Sequence, residues 1–308
     1  MTLETDLLLD RRRLKRRLLT WRIVALTALL AAVLAGLGKL GLGVGASHLA
    51  RLNVSGIITE DRRLTASVAA LADDTSVPAL IVSINSPGGS VAGGESLHNA
   101  IAEVAAKKPV VAVMGGTAAS AAYMIAVPAT RIFAREATLT GSIGVLLQTG
   151  EISGLLDKIG IETDAITSGP LKDQPSYLRP LSPEGRDVLR GLVMDMYDQF
   201  VGMVASGRHL SPDAVRALGD GRAYTGRQAL KLGLVDQIGG EAEARAWLAA
   251  EHHIARNLPV EDVRTSGSLA QRVVGASLGA ILGVAQKSLD LQWVRIDGAW
   301  AVWQPSVR

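Results

Sequence analysis

The stretch Gly115–Ala126, GGTAASAAYMIA, holds one serine, Ser120, among side chains too small to crowd it, with Tyr123 three positions on. A serine becomes a nucleophile when a base takes its proton and backbone N–H groups receive the oxyanion of the tetrahedral intermediate. Gly88 and Gly89, in SPGG after an apolar run, let backbone N–H groups approach a substrate closely. A helix starting at Ser120–Ala121 adds another N–H and a favourable dipole. The same serine serves equally well as a helix cap or a packed small residue, and composition alone leaves both readings open.

The base narrows the chemistry. The five histidines are His48, His98, His209, His252 and His253. None follows a strand end, where the histidine of a Ser-His-Asp triad belongs, and His98 falls mid-helix as a surface or core residue. No HExxH spacing occurs, and the chain has no cysteine, so thiolate catalysis, disulfides and Cys-based zinc sites are excluded and a metal site has no support. Lys172, in the Gly/Pro-rich loop TSGPLKDQPSYLRP, lies 52 residues beyond Ser120. An ordinary lysine with pKa near 10.4 is about 0.1% neutral at pH 7.5, so a base lysine must lose about 3 units, which burial can supply. A solvated loop lysine is the plainer reading.

These residues need elements to position them. Residues 50–58 read as a strand, 61–72 as a helix, 79–85 as a buried strand ending at SPGG, 91–106 as a helix and 109–116 as another buried strand. Strand–helix alternation with short connections predicts an α/β fold with a parallel sheet and flanking helices. Ligands collect at the carboxyl ends of such strands, where both SPGG and TAAS fall. Ser182 with Pro183, and Ser211 with Pro212, cap two later helices. The first carries an apolar stripe from Leu189 to Val204, read as core or subunit packing.

Of 308 residues, 48% are apolar. The basic charge is local: residues 1–22 hold seven Arg or Lys and three acids, while the rest holds 25 basic and 26 acidic side chains. A basic face for nucleic acid is therefore not expected. The cluster precedes Ile23–Gly38, Lys39 and Leu40–Ala46, an apolar stretch long enough to span a bilayer with Lys39 snorkelling and Trp21 at the interface. The expected organisation is a cytoplasmic basic segment at 1–20, a transmembrane anchor at 21–46, a catalytic domain at 47–258 on the extracytoplasmic side, and a helix and hairpin at 259–308. A cleaved signal peptide, processed near Val44-Gly45-Ala46, is the rival. GLGKLG at Gly36–Gly41 matches GxGxxG without a preceding strand, and no P-loop sequence occurs, so no nucleotide is expected.

The motifs SINSPGGS, GGTAASAAYMIA, TGSIGV, TSGPLKD and YTGRQALKLGLVDQIGG occur in this order between about residues 50 and 245. Together they resemble the signal peptide peptidase A family, membrane-bound serine proteases with a Ser-Lys dyad on a ClpP/crotonase-like fold. The length resembles the short bacterial form. The resemblance implies Ser120 as nucleophile, Lys172 as general base, and Ser142 orienting the lysine amine. It places the oxyanion donors at the N–H groups of Gly89 and Ala121, with Gly88 shaping the turn. It implies a homo-oligomeric ring at the inner membrane, peptide substrates such as signal peptide remnants, and no cofactor. Where the family often has Gly-Gly after the serine, this chain has Ala121-Ala122, which keeps the N–H and fills more of the pocket floor. Tyr123 reads as packing and YTGRQALKLGLVDQIGG as a structural cover. A crotonase-like acyl-CoA enzyme would share the oxyanion geometry but needs carboxylates that are not evident here. A non-catalytic membrane scaffold is the other alternative.

The tail offers less. Residues 268–289 are too briefly uncharged to span a membrane and suggest an interface helix or one lying on the membrane surface. Asp297-Gly298 predicts a hairpin that would set Arg295 opposite Trp300.

Overall fold

The computed structural model describes residues 17–30, 47–264 and 300–302. Its contacts divide the chain into Met1–Ser47 and His48–Arg308. In the first unit residues 17–30 are helical, with Trp21, Ile23, Leu26 and Leu29 exposed. Among the described residues no helix is long and apolar enough to cross a membrane. The second half of the predicted span, 31–46, lies outside them.

The second unit is an α/β fold built on a mostly parallel sheet, as the alternating pattern predicts. Strands β1 (Leu49–Ile58), β2 (Leu80–Ser90) and β3 (Val110–Ala119) form its centre and alternate with helices α1 (Arg62–Ala69) and α2 (Val91–Ala105). Asp61 caps α1 by accepting from the Arg63 and Leu64 N–H groups, and Ser90 caps α2 through Gly93. Then follow α3 (Ala121–Ala126), β4 (Arg131–Ala134), β5 (Leu139–Gly141) and α4 (Ser153–Lys158). The long helix α5 (Pro183–Arg208), α6 (Pro212–Leu218), β6 (Ala223–Thr225), α7 (Gly226–Lys231), β7 (Gln237–Ile238), α8 (Glu241–His252), β8 (Val260–Asp262) and β9 (Trp300–Val302) complete the unit. The order β6-β5-β3-β2-β1-β8 runs across the sheet, with β4 and β7 beside the first half of β3. Only β5–β6 and β2–β9 pair antiparallel among the described strands.

The period-2 alternation of the strands makes two cores. Leu52, Leu80, Val82, Ile84 and Ala112 face the α1–α3 side. Leu49, Ile81, Val111 and Phe133 face Ala244 and Leu248 of α8. Burial of these continuous apolar runs on both faces is what a parallel sheet requires.

Two strands run further than their sequence suggests, and both extensions matter. SPGG reads as a turn, yet β2 stays extended to Ser90. The Ser86 hydroxyl donates to the Gly56 carbonyl (2.6 Å) and accepts the Gly88 N–H (3.1 Å), so a side chain replaces the ladder where Pro87 has no donor. β3 likewise continues past Gly116, with the Thr117 N–H held by the Asn85 side chain (3.2 Å). The apolar stripe of α5 also divides. Phe200, Val201 and Val204 are buried, whereas Leu192 in its first half is exposed and Leu189 and Val193 are only half-buried. The predicted tail helix and the Arg295–Trp300 pairing lie outside the described residues. Residues 300–302 form β9.

The YTGRQ segment closes the unit. Thr225 and Gln228 form a capping box at the start of α7. A Cβ on Gly226 would lie 2.0 Å from the Arg135 carbonyl oxygen, a backbone atom that has no room to yield. Gly226→Ala should therefore cost about 2 kcal/mol by overpacking and lower Tm by about 4–8 °C. Calorimetry showing an unchanged Tm would contradict this packing.

Candidate active site

The register brings the ends of β2 and β3 together. Ser86 pairs with Ala118, so Gly88 and Ser120 each lie two residues further along strands that then part. Gly88 and Gly89 stay paired with Ile57 and Ile58 of β1. Gly88 has φ +110°, a conformation L side chains rarely adopt. A Cβ on Gly89 would lie 2.0 Å from the Ile58 carbonyl oxygen, so only glycine fits the approach. Just beyond, Gly94 on α2 faces Ala121, whose Cβ would be 3.0 Å from a Cβ there. The small residues of both motifs thus let the two turns close on one another.

Ser120 links β3 to α3 with φ 59° and ψ −124°. That backbone costs about 1–3 kcal/mol in a non-glycine residue and persists only where the surroundings impose it. Its N–H donates to the Gly141 carbonyl (2.8 Å), and its carbonyl accepts the Tyr123 and Met124 N–H groups (2.8 and 3.0 Å). The residue is 1% exposed. Its hydroxyl makes no capping bond and has no hydrogen-bond partner among the described residues. A serine merely capping the helix would spend its oxygen on a first-turn N–H. Ala121 opens α3, where the first N–H groups have no intrahelical acceptor.

Ser142 follows Gly141, the residue that holds the Ser120 N–H. It too has positive φ (49°) and is buried, its N–H donating to the Arg222 carbonyl (2.9 Å). It lines a cavity of about 310 Å³ with Val193, Met194, Tyr197 and Gly219–Gly221. Five of the six sequence-predicted site residues, Gly88, Gly89, Ser120, Ala121 and Ser142, therefore gather at the ends of β2, β3 and β5.

Lys172 does not join them. It is exposed in the loop before α5, and its amine makes no hydrogen bond or ion pair among the described residues. The loop is held by its own contacts: the Lys172 N–H donates to the Gly169 carbonyl (3.1 Å), Arg179 pairs with Asp173, and the Gln174 side chain accepts the Ser182 N–H (3.2 Å). Apolar side chains on the same loop face solvent, Tyr177 (51% exposed) and Leu178 (43%) among them.

The family model for peptidase family S49 matches residues 102–255, half of the chain, from the last turn of α2 through α8. The chain belongs to peptidase family S49. It is thus a serine peptidase, as its motifs imply. A putative protease of Synechocystis sp. is 41% identical to this S49 peptidase over 202 residues, 65% of this chain and 73% of that protein. A putative signal peptide peptidase SppA of Enterococcus faecium is 31% identical over 264 residues, 80% of this chain and 76% of the relative. The chloroplastic serine protease SPPA of Arabidopsis thaliana is 32% identical over 234 residues, covering 75% of this chain and 34% of its own length.

Sequence reasoning assigned this S49 chain no histidine near Ser120, yet His98 reaches the helix that follows it. Its Nδ1–H donates to the Met124 carbonyl (2.9 Å), tying α2 to α3. An i-to-helix contact of this kind leaves no mark in spacing, since the partner is a backbone atom. Desolvation holds the His98 imidazole below its ordinary value, against the opposing pull of the Met124 bond and Glu95. The folded chain then keeps His98 neutral while the unfolded chain takes up a proton. Its stability is complete above about pH 6.5 and declines as pH falls from there towards the lower folded value. His98→Gln should flatten the fall of Tm between about pH 6.5 and 5. An identical slope in both proteins would exclude this role.

Proposed function

We propose that this chain is a membrane-anchored serine endopeptidase with a Ser120–Lys172 dyad on a ClpP/crotonase-like fold. It cuts extended hydrophobic peptides, signal peptide remnants among them. The observation that carries the reading is the Ser120 turn: a hydroxyl without a capping bond, on a buried residue at a strained strand-to-helix junction beside Gly88-Gly89.

In this reading the neutral Lys172 amine takes the Ser120 proton as Oγ attacks the scissile carbonyl carbon. The N–H groups of Gly89 and Ala121 receive the oxyanion, with Gly88 setting the turn and Ser142 orienting the amine. Lys172 then passes the proton to the leaving amine, and the acyl-enzyme forms on Oγ. Water, deprotonated by Lys172, releases the second product and returns the proton to Ser120.

A peptide would bind as a strand beside Gly88–Ser90. One side of that segment pairs with β1, and the other is vacated where β3 turns away towards Ser120. The vacated side accepts an antiparallel strand: β9 sits there, Gly88 opposite Val302 and Ser90 opposite Trp300. Strand addition recognises backbone and suits varied sequences.

Ring assembly supplies the amine. Lys172 is exposed on a loop flanked by exposed apolar side chains, so a neighbouring subunit packed on that face would bury it and bring it to another chain's Ser120. The basic cluster Arg11–Arg17 ahead of the apolar run supports an N-in anchor at the inner membrane with the peptidase outside. Peptide substrates need no cofactor or nucleic acid. The relative named as a signal peptide peptidase supports the substrate class. Membership of a serine peptidase family weighs against the acyl-CoA and scaffold alternatives.

Arginine keeps the charge of lysine but gives no neutral base. Lys172→Arg should be as inactive as Lys172→Ala on a fluorogenic peptide, with circular dichroism unchanged. Appreciable hydrolysis by the arginine variant would remove Lys172 from the reaction.

A further inference from the structure

The helix that carries Ser120 is six residues long, too short to hold itself. Part of its support comes from the motif YTGRQALKLGLVDQIGG, which takes no part in the chemistry above. Tyr123, fully buried, donates its hydroxyl to the Leu234 carbonyl (2.8 Å). Burial pushes the phenol well up, so it stays a donor at any working pH. Leu234 belongs to the turn between α7 and β7. That turn is pinned at Asp236, whose N–H donates to the Ile132 carbonyl (3.0 Å) and whose Oδ2 accepts the Ile132 N–H (2.7 Å).

Arg208, the last residue of α5, closes the turn from the other side. Its Nε donates to the Gly233 carbonyl (3.0 Å), and its two terminal nitrogens fork onto the Asp236 carboxylate. The Arg208 side chain is only 8% exposed. An ion pair buried this far gains little stability over apolar packing, because desolvation offsets its attraction. What it does give is a fixed geometry, since guanidinium and carboxylate match in one plane. Next to it, Gly207 lies against the end of α3. A Cβ there would fall 2.4 Å from Val127 Cγ1 and 2.6 Å from the Val127 carbonyl oxygen. The last turn of α5 therefore meets the nucleophile helix directly at Val127 and indirectly through the Leu234 turn.

Resting on the reading of Ser120 as nucleophile, we propose that Arg208, Asp236 and Tyr123 are positioning residues for it. The Arg208–Asp236 fork fixes the Gly233–Asp236 turn, the Leu234 carbonyl fixes the Tyr123 hydroxyl, and Tyr123 fixes α3 three residues after Ser120. With the Gly141 carbonyl holding the Ser120 N–H from the other side, the strained backbone is clamped at both ends. Releasing the α3 end lets the helix start relax, and the hydroxyl leaves its reactive orientation.

The test uses the full-length, detergent-solubilised protein and its Tyr123→Phe variant, which loses one oxygen and keeps the ring. A fluorophosphonate probe labels the serine, mass spectrometry maps the labelled residue, and rates are compared where circular dichroism shows both proteins folded. Labelling of Ser120 should slow by about tenfold, with kcat on a peptide falling alike and KM unchanged. Arg208→Lys, which keeps the charge and loses the fork, should move in the same direction. If Tyr123→Phe does not fold, Arg208→Lys decides by the same readout. A folded variant with a lowered Tm but the wild-type labelling rate and kcat would show plain packing and overturn the inference. Wild-type protein labelled elsewhere than Ser120 would instead overturn the nucleophile assignment, and this inference with it.

Discussion

The left-handed backbone at Ser120 is the constraint around which the peptidase unit is arranged. A parallel sheet delivers β3 to a point where the chain must reverse into a helix within one residue. The reversal sets the side chain apart from the backbone ladder, and it costs about 1–3 kcal/mol. Everything adjacent is shaped to hold it. The Gly141 carbonyl fixes the N–H, and Ala121 and Ala122 leave α3 small enough to sit flush against Gly94. Gly89 packs so closely on Ile58 that no side chain fits. The run of small residues in both motifs is thus a packing requirement first.

The second organising fact is that the hydroxyl and the amine are treated in opposite ways by the same chain. Ser120 is a buried residue at the end of β3, and Lys172 faces solvent on a loop braced by its own hydrogen bonds. In the proposed reading a neighbouring subunit covers the lysine loop, and the exposed apolar side chains of α4 and of the first half of α5 would favour such a contact. Helix α5 then spans both concerns. Its exposed half follows the lysine loop, and its last residue bonds the turn that holds Tyr123 of α3.

Much of this was legible in the sequence where the signal is local. Continuous apolar runs marked β2 and β3, Ser182 and Ser211 marked helix starts, and small residues at strand ends marked the site. The strand ends were misplaced, because the Ser86 and Asn85 side chains carry the backbone through SPGG and GGT, and turn statistics do not see such bonds. The α5 stripe read as one face although only its second half is core. Periodicity reports which residues share a face and not what covers it. The Arg208–Asp236 fork was invisible for another reason, since its partners lie 28 residues apart on separate elements. The lone charge in LGLVDQIGG, Asp236, was its one local trace. Most of the tail hairpin lies outside the described residues, and the described strand at 300–302 pairs with β2, a contact no local pattern specifies.

The most direct measurement asks whether two dead chains can make one live site. Full-length Ser120→Ala and Lys172→Ala proteins carrying different affinity tags are mixed in equal amounts, co-assembled and purified through both tags. A dyad shared between neighbours restores about a quarter of the sites, because one neighbour pairing in four unites an intact serine with an intact lysine. Peptide hydrolysis near that fraction of the wild-type rate is the predicted result. Doubly tagged oligomers no more active than either variant alone would contradict it.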